Sequence, residues 1–434
     1  MKWRWLLVMS CLLSIFFSAC KSRDAEVTPV PEKKDIAQLY LSAWQQRDYE
    51  GMYKLLTAEA KASMTEAQFA ERYTKIYEGI EADHLEVTAL PEPTTAQTTS
   101  SPSPEPTERS FRFHVRMDTI AGPIEFDNQG KLLKAADGND PEWLVEWKPS
   151  LLFPDMSEGD TVRVQTIAAA RGEIKDRNGN GLAINGTVPQ LGLIPGQMGD
   201  SPNEVKTELA KKLGIDKKEI EKKLNASWVK PGMFVPIAII PEESIDEFRL
   251  FPGAVIQQKK LRQYPYGEAA AHLTGYIGEA NADELEKLKD KGYETGDWIG
   301  KAGLEQILED KLRGTDGVVV SIVDGKGVQK ADLADKAAVP GQNFQLTIDA
   351  ELQKTIYNEV KEDGASVAAI QPMTGDVLAL LSSPSYDPNA FVSGLSSEQY
   401  KKWNDDPHHP FLNRFSKGYA PGSSFKMITG AIGL

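Results

Sequence analysis

Cysteine is nearly absent. The 434 residues hold two, Cys11 and Cys20, both in the first twenty positions. Nothing beyond them can form an internal disulfide or a cysteine-based zinc site. An excess of basic residues is also missing: 49 Lys and Arg stand against 63 Asp and Glu, for a net charge of −14. Gripping phosphate needs a clustered basic surface, so nucleic acid is excluded as a partner. No GxxxxGK[ST] loop occurs, and Gly325-Lys326-Gly327 lacks the rest of a dinucleotide fingerprint, leaving nucleotide chemistry unsupported. No apolar run reaches the roughly 20 residues of a membrane span. Gly (35) and Pro (26) sit near average usage and 41% of residues are hydrophobic, which describes a globular chain of two or three domains.

The first residues read as an address. Lys2 and Arg4 precede an apolar run from Leu6 to Phe17, and Ser18-Ala19 then lead to Cys20. A charged start, an apolar middle and a small-residue end make a signal peptide at 1–19. Small residues directly before a cysteine resemble a bacterial lipobox, although Phe17 stands where Leu is commoner. Cleavage there makes Cys20 the lipidated first residue, anchored in a lipid membrane on the extracytoplasmic face; stable anchoring takes more than one acyl chain. Residues 20–34, with Pro29 and Pro31, are a polar tether.

Periodicity divides the remainder. Ile36, Leu39, Tyr40, Ala43 and Trp44 recur at helical spacing, and two further short helices follow, the last carrying Phe69, Tyr73, Ile76 and Tyr77. Strand-like segments at 84–90, 110–117, 124–128 and 143–147 complete an α+β domain over 35–150. Between two of them, Pro91–Thr107 is rich in Pro, Thr and Ser and reads as an exposed loop. A second, more heterogeneous unit spans 151–340. It has a strand at Val162–Val164, charged helices at 204–213 and 217–224, and helices at 281–291 and 302–312. A third begins at 341 with a strand at 344–348, a helix at 350–360 and a hairpin of Val367–Ile370 with Val377–Leu381.

Asp176-Arg177-Asn178-Gly179-Asn180-Gly181 matches the opening of an EF-hand loop, but the twelfth position is Thr187 where a bidentate Glu is required. Calcium is rejected there, and a turn needing positive φ at Gly179 and Gly181 is expected instead. His408-His409, flanked by prolines and without a second ligand pair, reads as a loop rather than a metal site. Ser-x-x-Lys is the remaining chemical pattern. Ser227-Trp228-Val229-Lys230 runs straight into Pro231-Gly232, which disrupts a following helix. Ser423-Ser424-Phe425-Lys426 instead follows Pro421-Gly422 and precedes Met427–Ile432, a plausible helix. On its first turn, positions i and i+3 share a face, so the Lys426 amine can approach the Ser423 hydroxyl. A partly desolvated lysine with a lowered pKa can then take that proton, and Ser423 becomes a nucleophile for acyl transfer. An ordinary helix N-cap serine is the alternative.

The wider pattern carries a resemblance. Tyr419-Ala420-Pro421-Gly422-Ser423-Ser424-Phe425-Lys426, with Asn413-Arg414 and Ala369–Ala379 upstream, resembles the start of a penicillin-binding transpeptidase domain. Arg171–Gly179, Arg262-Gln263-Tyr264-Pro265, His272–Gly278, Gly303-Leu304-Glu305 and Leu312-Arg313-Gly314 resemble the dimerisation or pedestal domain of class B penicillin-binding proteins. Trp143–Ser150 closes a first domain similar to the NTF2-like extension of the MecA-like subgroup. The fold so implied is multidomain α+β: an NTF2-like cone, a β-rich pedestal domain at 151–340, and at 341–434 the N-terminal part of an α/β transpeptidase fold.

The resemblance implies an anchored enzyme outside the cell. Ser423 attacks the penultimate D-alanine carbonyl of a peptidoglycan stem peptide, Lys426 assists as proton acceptor, and β-lactam antibiotics acylate the same serine. No metal or organic cofactor is implied, and cell-wall synthesis proteins are the expected partners. The family's SxN and KTG motifs lie C-terminal to the nucleophile, whereas this sequence ends eight residues beyond Lys426. The expectation is therefore a chain cut within its transpeptidase domain and inactive or weakly active as it stands. Two rival readings are a non-catalytic cell-wall lipoprotein scaffold, and a β-lactam sensor or β-lactamase of the same SxxK class.

Overall fold

The computed structural model describes residues 35–91, 107–135 and 143–434. The expected signal peptide, the tether with Cys20, and nearly all of the Pro/Thr/Ser-rich loop lie outside the described residues. The chain divides into two compact units, one of 1–74, 85–116 and 125–154, the other of 75–84, 117–124 and 155–434. Each is taken by itself.

Four helices open the described residues where three were expected: Ile36–Gln45, Tyr49–Lys54, Ala58–Ser63 and Glu66–Gly79. The additional one, Ala58–Ser63, is a single alanine-rich turn and a half with too few apolar residues for periodicity to register, and Thr57 caps it by accepting from the Ala60 amide. Strands β1 (Asp83–Leu90), β2 (Glu108–Thr119), β3 (Gly122–Lys134) and β4 (Trp143–Glu146) form a sheet in sequential order. Alternation along β2 turns Phe111, Phe113, Val115 and Met117 inward. Aromatic packing makes the core of the first unit: Trp44 meets Phe113 at 5.5 Å and Tyr73 at 5.9 Å, both edge-on. Trp147 Nε1 donates to Tyr73 Oη at 3.1 Å, so the indole that closes this unit is satisfied inside it.

The second unit contains four sheets built from β5 (Thr161–Ile167), β6 (Ile174–Lys175), β7 (Gly181–Leu193), β8 (Val235–Ile239), β9 (Ala254–Gln263), β10 (Ile277–Glu279) and β11 (Trp298–Gly300). Five more strands follow: β12 (Gly317–Val323), β13 (Gln329–Lys336), β14 (Phe344–Gln345), β15 (Ala365–Ile370) and β16 (Val377–Ser383). Their orders are β13-β12-β5, β14-β6-β7-β8 with β9 on β7, β10-β11, and the hairpin β15-β16. The helices expected at 204–213 and 217–224 occur at Pro202–Leu213 and Lys217–Leu224, and their apolar faces cover Leu191, Leu193, Val235 and Ile237. The helix expected over 302–312 is two short ones, Gly303–Ile307 and Glu309–Leu312. The strand expected at 344–348 keeps only Phe344–Gln345 in register, because Asp349 already caps the next helix through the Leu352 amide.

The 176–181 turn shows how distant segments are joined. Gly179 has φ +88°, as expected, but Gly181 is not at positive φ; a Cβ there would sit 2.3 Å from Ile184 Cγ2, so close packing is the reason for glycine. The buried Asp176 carboxylate accepts from the Asn178 and Asn180 amides at 2.8 Å, and from the Ala350 amide at 3.1 Å. It thus ties the turn to the first residue of the helix Ala350–Val360. Burial opposes its charge, but these donors outweigh burial and hold the carboxyl below its ordinary pKa. Asp176→Asn should therefore lower stability by about 2–3 kcal/mol at neutral pH. The wild-type contribution is complete above the unfolded carboxyl pKa of about 4 and is lost as pH falls through the lower folded value. Urea unfolding across pH 2–7 of both proteins checks this: the difference should vanish at the acid end, and a pH-independent gap would contradict it.

Candidate active site

The hairpin β15-β16 runs in antiparallel register from Ala365↔Ser383 to Ile370↔Val377. The helix Ala350–Val360 packs on β16 through Gln353, whose carbonyl accepts from the Leu380 amide and whose amide donates to Ala269 O. From β16 the chain passes through Pro388–Ser393 and Ser397–Asn404 to the loop at 406–412, which holds His408 and His409. The Arg414 guanidinium gathers that loop by donating to the carbonyls of His408, His409 and Leu412. Ser382 Oγ receives the Arg414 amide at 3.0 Å and donates to Leu412 O at 2.9 Å, stitching the loop to β16.

His272 fastens the same loop from the other side. It is buried in the short helix Ala271–Thr274, with Nε2 3.0 Å from Pro410 O and its ring edge-on to Tyr386 at 5.2 Å. Burial pushes its pKa down to about 4, so the ring is neutral at pH 7 and donates a single N–H. Asn389 clamps the backbone of Tyr264, accepting from its amide and donating to its carbonyl. Periodicity could not reveal these positions, since each acts across more than a hundred residues; their signal is that His272 and Tyr264 lie inside the motifs quoted above.

Ser423 and Lys426 fall on one tight turn, but it is not α-helical. Gly422, at φ +53°, starts a 3-10 turn, Gly422–Phe425, and the α-helix begins at Lys426 and runs to Ile432. The Lys426 amide donates to Ser423 O, closing an i to i+3 ring. Side chains three apart eclipse in a 3-10 turn, so Ser423 and Lys426 lie on one side of a turn tighter than the α-helical one expected. The expected desolvation of Lys426 is not found: Ser423 and Lys426 are both exposed, and no described element covers the turn. The following helix likewise leaves Met427 and Ile432 open to solvent.

This arrangement of a hairpin, a flanking helix and a serine and lysine in one turn belongs to a wider domain order. The family model of the NTF2-like N-terminal transpeptidase domain matches residues 32–160, that of the penicillin-binding protein dimerisation domain 166–346, and that of the penicillin-binding protein transpeptidase domain 365–434. The chain thus carries the three domains of a class B penicillin-binding protein in that family's order. Penicillin-binding protein 3 of Bacillus subtilis (strain 168) is 38% identical over 432 residues, which cover 99% of this chain and 62% of that protein. The peptidoglycan D,D-transpeptidase MrdA of Escherichia coli (strain K12) is 32% identical over 287 residues, 63% of this chain and 45% of that protein. A solved complex between a penicillin-binding protein, PBP2, and MreC from Helicobacter pylori aligns with a TM-score of 0.47 at 26% identity, over 62% of this chain and 52% of that one. The chain accordingly spans about three-fifths of the first relative's length and under half of the second's.

Proposed function

We propose that the protein is a peptidoglycan D,D-transpeptidase acting through a serine acyl-enzyme. Ser423 Oγ bonds to the penultimate D-alanine carbonyl of a stem peptide, the C–N bond to the terminal D-alanine breaks, and Lys426 passes the serine proton toward the departing amine. An amine of a neighbouring stem peptide then attacks the ester, forming the cross-link and releasing Ser423; β-lactams acylate the same oxygen. The observation that carries the reading is the 3-10 turn joining Ser423 to Lys426, and the name of the Escherichia coli relative supports it. The reaction calls for no metal or organic cofactor.

With it we propose domain limits of 35–150, 151–340 and 341–434, a lipid anchor at Cys20 holding the protein to the outer face of the membrane, and partners among the cell-wall synthesis proteins. The test is fluorescent-penicillin labelling of the protein expressed from its complete gene, followed by digestion. A drug-sized mass should appear on the peptide containing Ser423 and vanish in Ser423→Ala. Labelling retained in that variant sinks the assignment, and rapid hydrolytic turnover of the drug points to a β-lactamase.

A further inference from the structure

Five strands of the second unit lie at the margins of its larger sheets: β13 and β5 of one, β14, β8 and β9 of the other. Edges are protected by charge, by shortness or by proline, and a long edge with none of these is a template. β13 carries Lys330, Asp332, Asp335 and Lys336, and β9 exposes Lys259 and Lys260. β14 is only Phe344–Gln345, and β8 is interrupted by Pro236. β5 is the exception. Its seven residues, from Thr161 to Ile167, hold one charged side chain, Arg163, among five β-branched residues. One side pairs with β12 along its full length, from Gly317↔Ile167 to Val323↔Thr161. Among the described residues no strand and no hydrogen bond reaches the other side.

Burial agrees with this topology. Six of the seven residues of β5 are exposed and only Val162 is half-buried, with Val164 at 36% and Ile167 at 40%. The strand it pairs with is inside: Val320, Ser321, Ile322 and Val323 are buried. β5 is therefore firmly held on one edge, while its outward amides and carbonyls and two apolar side chains face water.

We propose that β5 is an acceptor edge for an extended segment of a partner protein, one that adds as a further strand and places a carboxylate beside Arg163. Main-chain bonds along the edge supply the affinity, and alternate side chains supply selectivity. Arg163 is the only charge along the edge and has no ion-pair partner among the described residues, so it selects an acidic neighbour. A single added strand buries less than a standard interface, which makes the contact weak and reversible, with Kd on the order of tens of micromolar. The inference is independent of the acyl-transfer chemistry.

The probe is a fluorescein-labelled seven-residue peptide alternating valine and threonine with one central glutamate, compared with the same peptide carrying lysine instead. Anisotropy titration should show the glutamate peptide binding the wild-type chain. Val164→Lys, which gives β5 the protection β9 and β13 possess, should weaken binding at least about tenfold. Arg163→Glu should reverse the preference in favour of the lysine peptide. Both positions are exposed, so thermal melting should be unchanged. The proposal is overturned by absence of binding up to about 1 mM, by binding that ignores either substitution, or by sedimentation in which Val164→Lys dissolves a dimer. That last result would assign the edge to a second copy of the chain.

Discussion

Glu305→Ala should destabilise the second unit by about 3–5 kcal/mol, the range expected when a buried charge loses its partner. Glu305 is fully buried between two arginines: Arg171 Nε donates to Oε2 at 2.7 Å, and Arg262 Nε donates to Oε1 at 2.8 Å. The Arg262 side chain is itself only 1% exposed, so without Glu305 its charge has no route to water. Tyr264 adds its hydroxyl to Oε1 at 3.4 Å, and burial pushes that phenol's pKa well up, keeping it a donor. Arg171 is better insured, since Glu309 also holds it at 2.7 Å. Loss of Glu305 therefore strands Arg262 above all. Urea unfolding followed by a probe in the second unit measures the effect, with Glu305→Gln intermediate because the amide oxygen still accepts from one arginine. A change under about 1 kcal/mol for the alanine variant would show that the arginines find other partners.

Lys426→Ala should slow acylation of Ser423 by β-lactam about 10²- to 10⁴-fold in the protein expressed from its complete gene, the usual contribution of a positioned proton acceptor. The 3-10 turn is the reason: side chains three apart eclipse there, which puts Lys426 on the side of Ser423 rather than of Ser424. Ser424→Ala should accordingly stay within a few fold of wild type. Stopped-flow acylation separates the rate constant from the affinity, and the loss belongs in the rate constant. Equal rates for the lysine variant and wild type would remove Lys426 as the base while leaving Ser423 as nucleophile.

Much of this was legible in local pattern. Helices at 36–45, 217–224 and 350–360, the inward alternation of β2 and the hairpin at 365–383 all follow from spacings of 3.6 and 2, which the backbone imposes irrespective of its surroundings. The Ser-x-x-Lys spacing of Ser423 and Lys426 ahead of a helix was legible for the same reason, and their chemical role is the one proposed above. The reading faltered where local preference is weak. The short helix Ala58–Ser63 lacks a clear apolar stripe, the segment 302–312 breaks in two, and the nucleophile turn is 3-10 rather than α.

By itself, the sequence determined the order of the elements, that no cysteine follows Cys20 among its 434 residues, and which serine stands three residues from a lysine ahead of a helix. Only the tertiary structure decided that Asp176 secures the amide of Ala350, that His272 secures Pro410, and that Glu305 lies between Arg171 and Arg262. Partners 43 to 174 residues apart leave no periodic trace. Their pairing is enforced by burial, because a polar group removed from water must find a donor or acceptor wherever the fold brings one.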